Sequence, residues 1–176
     1  MIATALVVAL LLVVDQWTKL WTVATFPLNG PGEVVIPGAL YFTYVQNTGA
    51  AFGLLRGVSF PLGPLTVDGV FVLGVVSLLV SVFIARYLWR QRGRLAWGVQ
   101  VPLTLILAGA IGNMIDRFRL GYVIDFIHVH IGWFNFPVFN VADSLVSVGA
   151  VMLLLFGRSE PRAPQPDASE VRDEAA

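Results

Sequence analysis

"FNVADSLVSVGAVMLLLF", Phe139 to Phe156, is apolar enough to cross a bilayer, yet it carries Asn140 and Asp143 at its start. A carboxylate at the centre of a spanning helix costs roughly 2.5–3.5 kcal/mol, and less near an end. On a helix, Asn140, Asp143, Ser144 and Ser147 follow i, i+3, i+4, i+7 spacing and form one polar stripe. In lipid such a stripe has to face other helices or a water-filled cleft. Asn140 and Asp143 are also spaced as a helix cap and its reciprocal third residue, which accounts for them locally. Cap and cleft are compatible roles.

The rest of the chain has the same apolar character. Of 176 residues, 57% are hydrophobic and only 12% charged, with a mean hydropathy of +0.79. A soluble domain carries about a quarter charged residues, so this is a membrane protein. With no cysteine, disulfides, thiolate zinc sites and a cysteine nucleophile are excluded. The two histidines, His128 and His130, cannot make a three-histidine metal site.

Four stretches approach the ~20 residues needed to cross a bilayer: residues 2–25, 70–89, 95–115 (with Pro102 as a kink) and 138–156. The first lacks Lys or Arg before its apolar run and a small-residue cleavage site after it, so it is read as a retained helix. Arg86, Arg90, Arg92 and Arg94 crowd the second-to-third link, and Arg158, Arg162 and Arg172 follow the fourth stretch. Because positive charge collects in the cytoplasm, both termini are placed there. Arg117 and Arg119 break that rule and ask for a local reason. Residues 1–157 form a single integral membrane domain, and the charged, proline-containing residues 158–176 are expected to be a disordered cytoplasmic tail.

Two outer segments remain. Residues 26–69 hold "ALYFTYV" between turn signals and are expected to form a small sheet on the membrane surface. Residues 116–137, with "GYVIDFIHVHIGW", are expected to form a second extracytoplasmic loop. The fold class is therefore a helical membrane protein with four transmembrane helices, a small extracytoplasmic β-sheet element and that loop.

The polar residues need individual reasons. If "YVIDFIHVHI" is extended, Asp125 shares a face with Val123, Ile127, Val129 and Ile131, while His128 and His130 point the other way. A carboxyl on an apolar face favours its neutral form; a loop carboxylate paired with Arg119 is the simpler alternative. Asn113, Asp116 and Arg117 sit at i, i+3, i+4, where Asp116 pairing with Arg117 explains the charges but not the deeper Asn113. Asp15 and Lys19, at i, i+4, read as a structural ion pair embedded in the membrane. Two carboxylates in one site are coupled, one held protonated and one ionised. Such a pair can take a proton from water and hydrogen-bond the carbonyl under attack.

Five blocks in order, "DQWTK" at 15–19, "NTGAAFG" at 47–53, "GAIGNMIDR" at 109–117, "GYVIDF" at 121–126 and "FNVADS" at 139–144, resemble the bacterial lipoprotein signal peptidases (signal peptidase II). The resemblance covers residues 2–156, with Ile124 standing where the family often has Val, and leaves out the tail. It implies a cofactor-independent, metal-free intramembrane aspartic peptidase of the bacterial cytoplasmic (inner) membrane. Such an enzyme cleaves diacylglyceryl-modified prolipoproteins just before the lipidated cysteine. By motif, the catalytic pair falls on Asp125 and Asp143. Asn47, Asn113, Arg117 and Asn140 match positions that line the substrate cleft or support the pair. Asp15, Lys19, Gly49 and Asp116 are assigned supporting roles, with Gly49 and Gly53 allowing close backbone approach in a turn over the cleft. The implied partners are the lipid-modified precursor and membrane lipids, with no nucleic acid, and the protein acts as a monomer. Asp143, beside a helix N-terminus, is expected to be the base, and Asp125 the acid.

Two other classes remain open: a proton-coupled carrier or channel using the same carboxylates, and a non-catalytic lipoprotein-binding protein with the same cleft. A serine protease is disfavoured, since no G-x-S-x-G elbow is present.

Overall fold

Long apolar runs and short alternating ones take turns along the chain, and the backbone follows them. The computed structural model describes residues 2–49, 57–62 and 65–157. Helix α1 covers Ile2–Thr25, and strands β1 (Glu33–Ile36) and β2 (Leu40–Asn47) follow. A small hairpin of β3 (Ser59–Leu62) and β4 (Leu65–Asp68) leads into helix α2, Gly69–Arg90. Helix α3 spans Trp97–Leu120, strands β5 (Val123–Ile131) and β6 (Phe134–Asn135) come next, and α4 covers Val141–Phe156. The tail beyond residue 157 and residues 50–56, which include most of the "NTGAAFG" block and Arg56, lie outside the described residues.

Helices α1, α2 and α3 are each long and apolar enough to cross a membrane. Two boundaries differ from the sequence expectation. The third helix runs on to Leu120, stopping where Gly121 adopts a left-handed φ of 76° and its N–H reaches back to Arg117 O at 3.2 Å. The fourth starts only at Val141 and has 16 residues, shorter than the other three. The reason is local: Phe139 pairs its backbone with β5, through Phe139 N–Ile127 O at 3.0 Å and Ile127 N–Phe139 O at 2.8 Å. Asn140 is then left extended to cap the helix.

The expected separate outer loop is instead part of the sheet. β5 pairs antiparallel with β2, giving a four-stranded order β1-β2-β5-β6. Its alternating β-branched and aromatic residues suit an inner strand. Asn47 opposes Val123 and Val45 opposes Asp125, with a register shift between Phe42 and Val45. The shift falls beside Tyr44, whose carbonyl accepts Asn29 N–H at 2.8 Å and whose ring packs with Phe26 and Ile124. This cluster, with Trp21, Phe42 and Tyr122 around it, fastens the sheet to the end of α1.

α3 is the central helix, packed against α1, α2 and α4. It approaches α4 so closely that a Cβ on Gly109 would collide with Ala142 O and Val146 Cγ2, and it approaches α1 so closely that one on Gly112 would lie 2.6 Å from Asp15 Oδ2. Small residues permit such backbone approach between helices in lipid. The burial pattern is that of a membrane protein. Asp15, Lys19, Asp116, Asp125 and Asn140 are buried, whereas Leu154 is 81% and Phe83 70% exposed.

Candidate active site

The C-terminal end of α3 and the N-terminal end of α4, with β2 and β5 beside them, enclose a cavity of about 990 Å³. Asn47, Asn113, Arg117, Asp125 and Asp143 all line it, beside apolar residues such as Val76 and Val80 of α2 and Val146 of α4. Val123 shares this wall with Asp125, while Ile124 packs into the Phe26–Tyr44 cluster behind, so the strand alternation expected from sequence holds here. Asp125 makes no ion pair among the described residues, so the Arg119 alternative does not hold.

Asn140 joins the two aspartates. Its Nδ2 donates to Asp125 Oδ1 at 2.8 Å, and its backbone N–H donates to Asp143 Oδ2 at 3.3 Å. Its Oδ1 accepts the Asp143 N–H at 2.9 Å, completing the reciprocal cap. Each carboxylate has a second amide partner: Asn47 Nδ2 donates to Asp125 Oδ2 at 2.9 Å, and Asn113 Nδ2 to Asp143 Oδ1 at 2.7 Å. Asn113 Oδ1 in turn accepts from Asn140 Nδ2 at 3.1 Å. Burial pushes the Asp125 carboxyl up to about 7, and the charge of Asp143 adds to this. The Asn47 bond, the charge of Lys19 and the Asn140 bond act the other way. A carboxyl so placed holds its proton close to neutral pH.

Asp116 does not pair with Arg117. Consecutive residues on a helix point about 100° apart, and Asp116 turns toward α1 while Arg117 turns into the cavity. Lys19 Nζ lies 2.9 Å from both Asp15 Oδ2 and Asp116 Oδ2, and it donates to Asn113 Oδ1 at 3.1 Å. Asn113, unexplained as a local feature, thereby links the ion cluster to Asp143. Sequence reasoning missed Gln16, whose Nε2 reaches Asp15 Oδ2 at 3.1 Å and Asp116 Oδ1 at 3.0 Å. Its only signal was its place beside Asp15 in an apolar helix. Arg117 Nε is buried and has no hydrogen-bond partner among the described residues.

Gly49 is buried, and its N–H donates to Asn47 Oδ1 at 2.9 Å; Gly53 lies outside the described residues. The histidines stay within the β5–β6 hairpin, His128 Nε2 at 2.7 Å from Asn135 Oδ1 and His130 Nε2 at 3.0 Å from Gly132 O. Two carboxylates cross-linked by amides at the top of an apolar cleft can activate one water against a carbonyl held there.

The family model for signal peptidase (SPase) II matches residues 7–157. The lipoprotein signal peptidase of Nostoc sp. (strain PCC 7120) is 45% identical over 148 residues, 84% of this chain and 84% of the relative. That of Enterococcus faecalis (strain V583) is 40% identical over 151 residues, 86% and 84% of the two chains. A solved bacterial membrane enzyme, obtained by the in meso method at 2.3 Å resolution, superposes with a TM-score of 0.75 at 28% identity, over 95% of this chain and 96% of that one.

Proposed function

The chain belongs to the signal peptidase II family, and on that premise we propose that it is an intramembrane aspartic endopeptidase. It removes the signal peptide from diacylglyceryl-modified prolipoproteins, cutting just before the lipidated cysteine. The observation that carries the aspartic mechanism is Asn140 bound to both Asp125 and Asp143 at one cavity.

The protonated Asp125 donates to the scissile carbonyl, and the ionised Asp143 takes a proton from the attacking water. The new C–O bond forms as the oxyanion receives the Asp125 hydrogen bond. Collapse breaks the C–N bond, with the proton held by Asp143 passing to the leaving amine of the cysteine. No cofactor takes part. Asn47, Asn113 and Asn140 hold the acids, and Asn47 and Asn113, which line the cavity, offer amide groups to a substrate backbone that, at this depth, has little water to bond. Arg117, whose side chain lines the cleft, supplies donors for substrate carbonyls. The apolar walls of α2 and α4 take the acyl chains.

In this reading the chain is a monomer in the bacterial inner membrane, crossing four times with both termini in the cytoplasm and the aspartates near the outer face. The 16-residue α4 is about 24 Å long, and the extended residues before it make up the remaining depth. Purified protein in detergent is expected to cleave a diacylglyceryl-modified precursor peptide. Asp125→Asn and Asp143→Asn are each expected to abolish turnover while leaving the thermal unfolding midpoint in place. Turnover surviving in either variant removes that residue from the mechanism, and proton flux in liposomes without peptide cleavage favours a carrier instead.

A further inference from the structure

Behind the aspartates, on the side away from the cavity, lies the most buried charge cluster among the described residues. Lys19 is 2% exposed, Asp15 0% and Asp116 2%. Cutting an ammonium off from water costs several kcal/mol unless all of its donors are used. Here three acceptors surround it: Asp15, Asp116 and Asn113. The other bonds of the two carboxylates are what give the cluster its meaning. Asp15 Oδ1 accepts the N–H of Ala142 at 2.9 Å, and Asp116 Oδ2 accepts the N–H of Ile124 at 3.2 Å. Ala142 directly precedes Asp143, and Ile124 directly precedes Asp125. Each aspartate thus has a carboxylate gripping the peptide just before it, and one ammonium ties the two grips together. The third Lys19 bond turns the Asn113 carbonyl toward α1, so that the Asn113 NH2 faces Asp143.

We propose that Lys19 is a positioning residue for the aspartate pair. Its ammonium joins the two carboxylates that fix the backbone before Asp125 and before Asp143, and so it sets the spacing between strand β5 and helix α4. The role extends the peptidase reading and, for its kinetic consequences, rests on it.

The charged groups around the pair come from every element packed there. They are Asp15 and Lys19 on α1, Asp116 and Arg117 on α3, Asp125 on β5 and Asp143 on α4; β2 brings Asn47 but no charge. Replacing an ammonium kept only to weld helices lowers the unfolding temperature and leaves kcat per folded molecule unchanged. Replacing a positioning ammonium lowers kcat in the folded protein, and because the charge of Lys19 also favours the ionised form of Asp125, the infrared midpoint separates that charge effect from misplacement.

The test uses the purified full chain in detergent, with Lys19→Met, Lys19→Arg and Asp116→Asn. Two readouts are taken: kcat and KM for the lipid-modified precursor peptide, and infrared titration of the carboxyl band that Asp125→Asn removes. Lys19→Met is expected to lower kcat roughly 10- to 100-fold, as small misplacements of reacting groups do, with KM nearly unchanged. The Asp125 midpoint is expected to move above about 7, and Lys19→Arg to restore most of that change. Asp116→Asn, which keeps the charge of Lys19 but weakens its tie to the Ile124 N–H, is expected to lower kcat without raising the Asp125 midpoint, and it keeps the test open if Lys19→Met does not fold. An unchanged kcat in the folded variants, with only the unfolding temperature lowered, overturns the proposal, and so does a kcat loss that the shifted Asp125 midpoint accounts for in full. A wild-type protein that cleaves no precursor overturns the peptidase reading, whereas a wild type that cleaves beside folded variants of unchanged kcat overturns the role of Lys19 alone.

Discussion

Asn47 holds Asp125 and the turn after β2 with the two ends of one amide: Nδ2 donates to Asp125 Oδ2, and Oδ1 accepts the Gly49 N–H. The first bond favours the ionised carboxylate, against burial and the charge of Asp143, which together push Asp125 up to about 7. The sign for activity follows directly. If protonated Asp125 is the acid, turnover is present while it keeps its proton and is lost as pH rises through about 7. Asn47→Ala removes a bond that favours the charged form, so the proton is kept to higher pH. The alkaline limb of kcat against pH is expected to move up by about one pH unit, the scale of one charge-assisted hydrogen bond. A limb that stays in place, or moves down, would show that Asp125 does not set it.

Contact between α3 and α4 decides whether the site exists, because Asn113 and Asp143 come from the two sides of it. Gly109 lets the helices meet at backbone distance, with Ala142 O and Val146 Cγ2 where its Cβ would be. Gly109→Ala therefore forces the helices apart and is expected to cost about 1–3 kcal/mol, read as a lower unfolding temperature in detergent. Ala150→Leu, on the exposed side of α4, is expected to leave that temperature unchanged; equal losses in both would place the stress elsewhere. The apolar runs made the helices legible in the sequence, and the i, i+3 spacing of Asn140 and Asp143 announced the cap. The late start of α4 was not legible, because a backbone pairing with a strand twelve residues earlier, Ile127 with Phe139, leaves no trace in hydropathy. Asp116 was assigned the wrong partner for a similar reason. Spacing along one helix offers Arg117, whereas the distant Lys19 of α1 appears only once α1 and α3 pack. The inward turn of Asp125 was legible, since alternation along an extended segment needs no knowledge of the partner strand.

Across the whole molecule the chemistry is confined to one end. Thr4, Leu88, Gln91, Arg92 and Gln100 meet at the other, where Gln100 Nε2 donates to Thr4 Oγ1 at 3.0 Å. The start of α1, the end of α2 and the start of α3 therefore lie together, with the arginine-rich link among them. The sheet, the aspartates and the aromatic tip around Trp133, which is 94% exposed, lie at the opposite end of the helices. Positive charge marks the cytoplasmic side, and exposed aromatic residues suit a membrane–water boundary. Both signals support the proposed outward-facing site, and Arg117, which turns into the cleft, is then no exception to the charge rule. The chain has no cysteine, so one introduced thiol reports a single position. Trp133→Cys is expected to react with a membrane-impermeant maleimide in intact spheroplasts. Arg94→Cys, in the α2–α3 link, is expected to react only after the membrane is opened. The reverse pattern would turn the aspartates toward the cytoplasm, where a precursor anchored by lipid in the outer leaflet could not reach them.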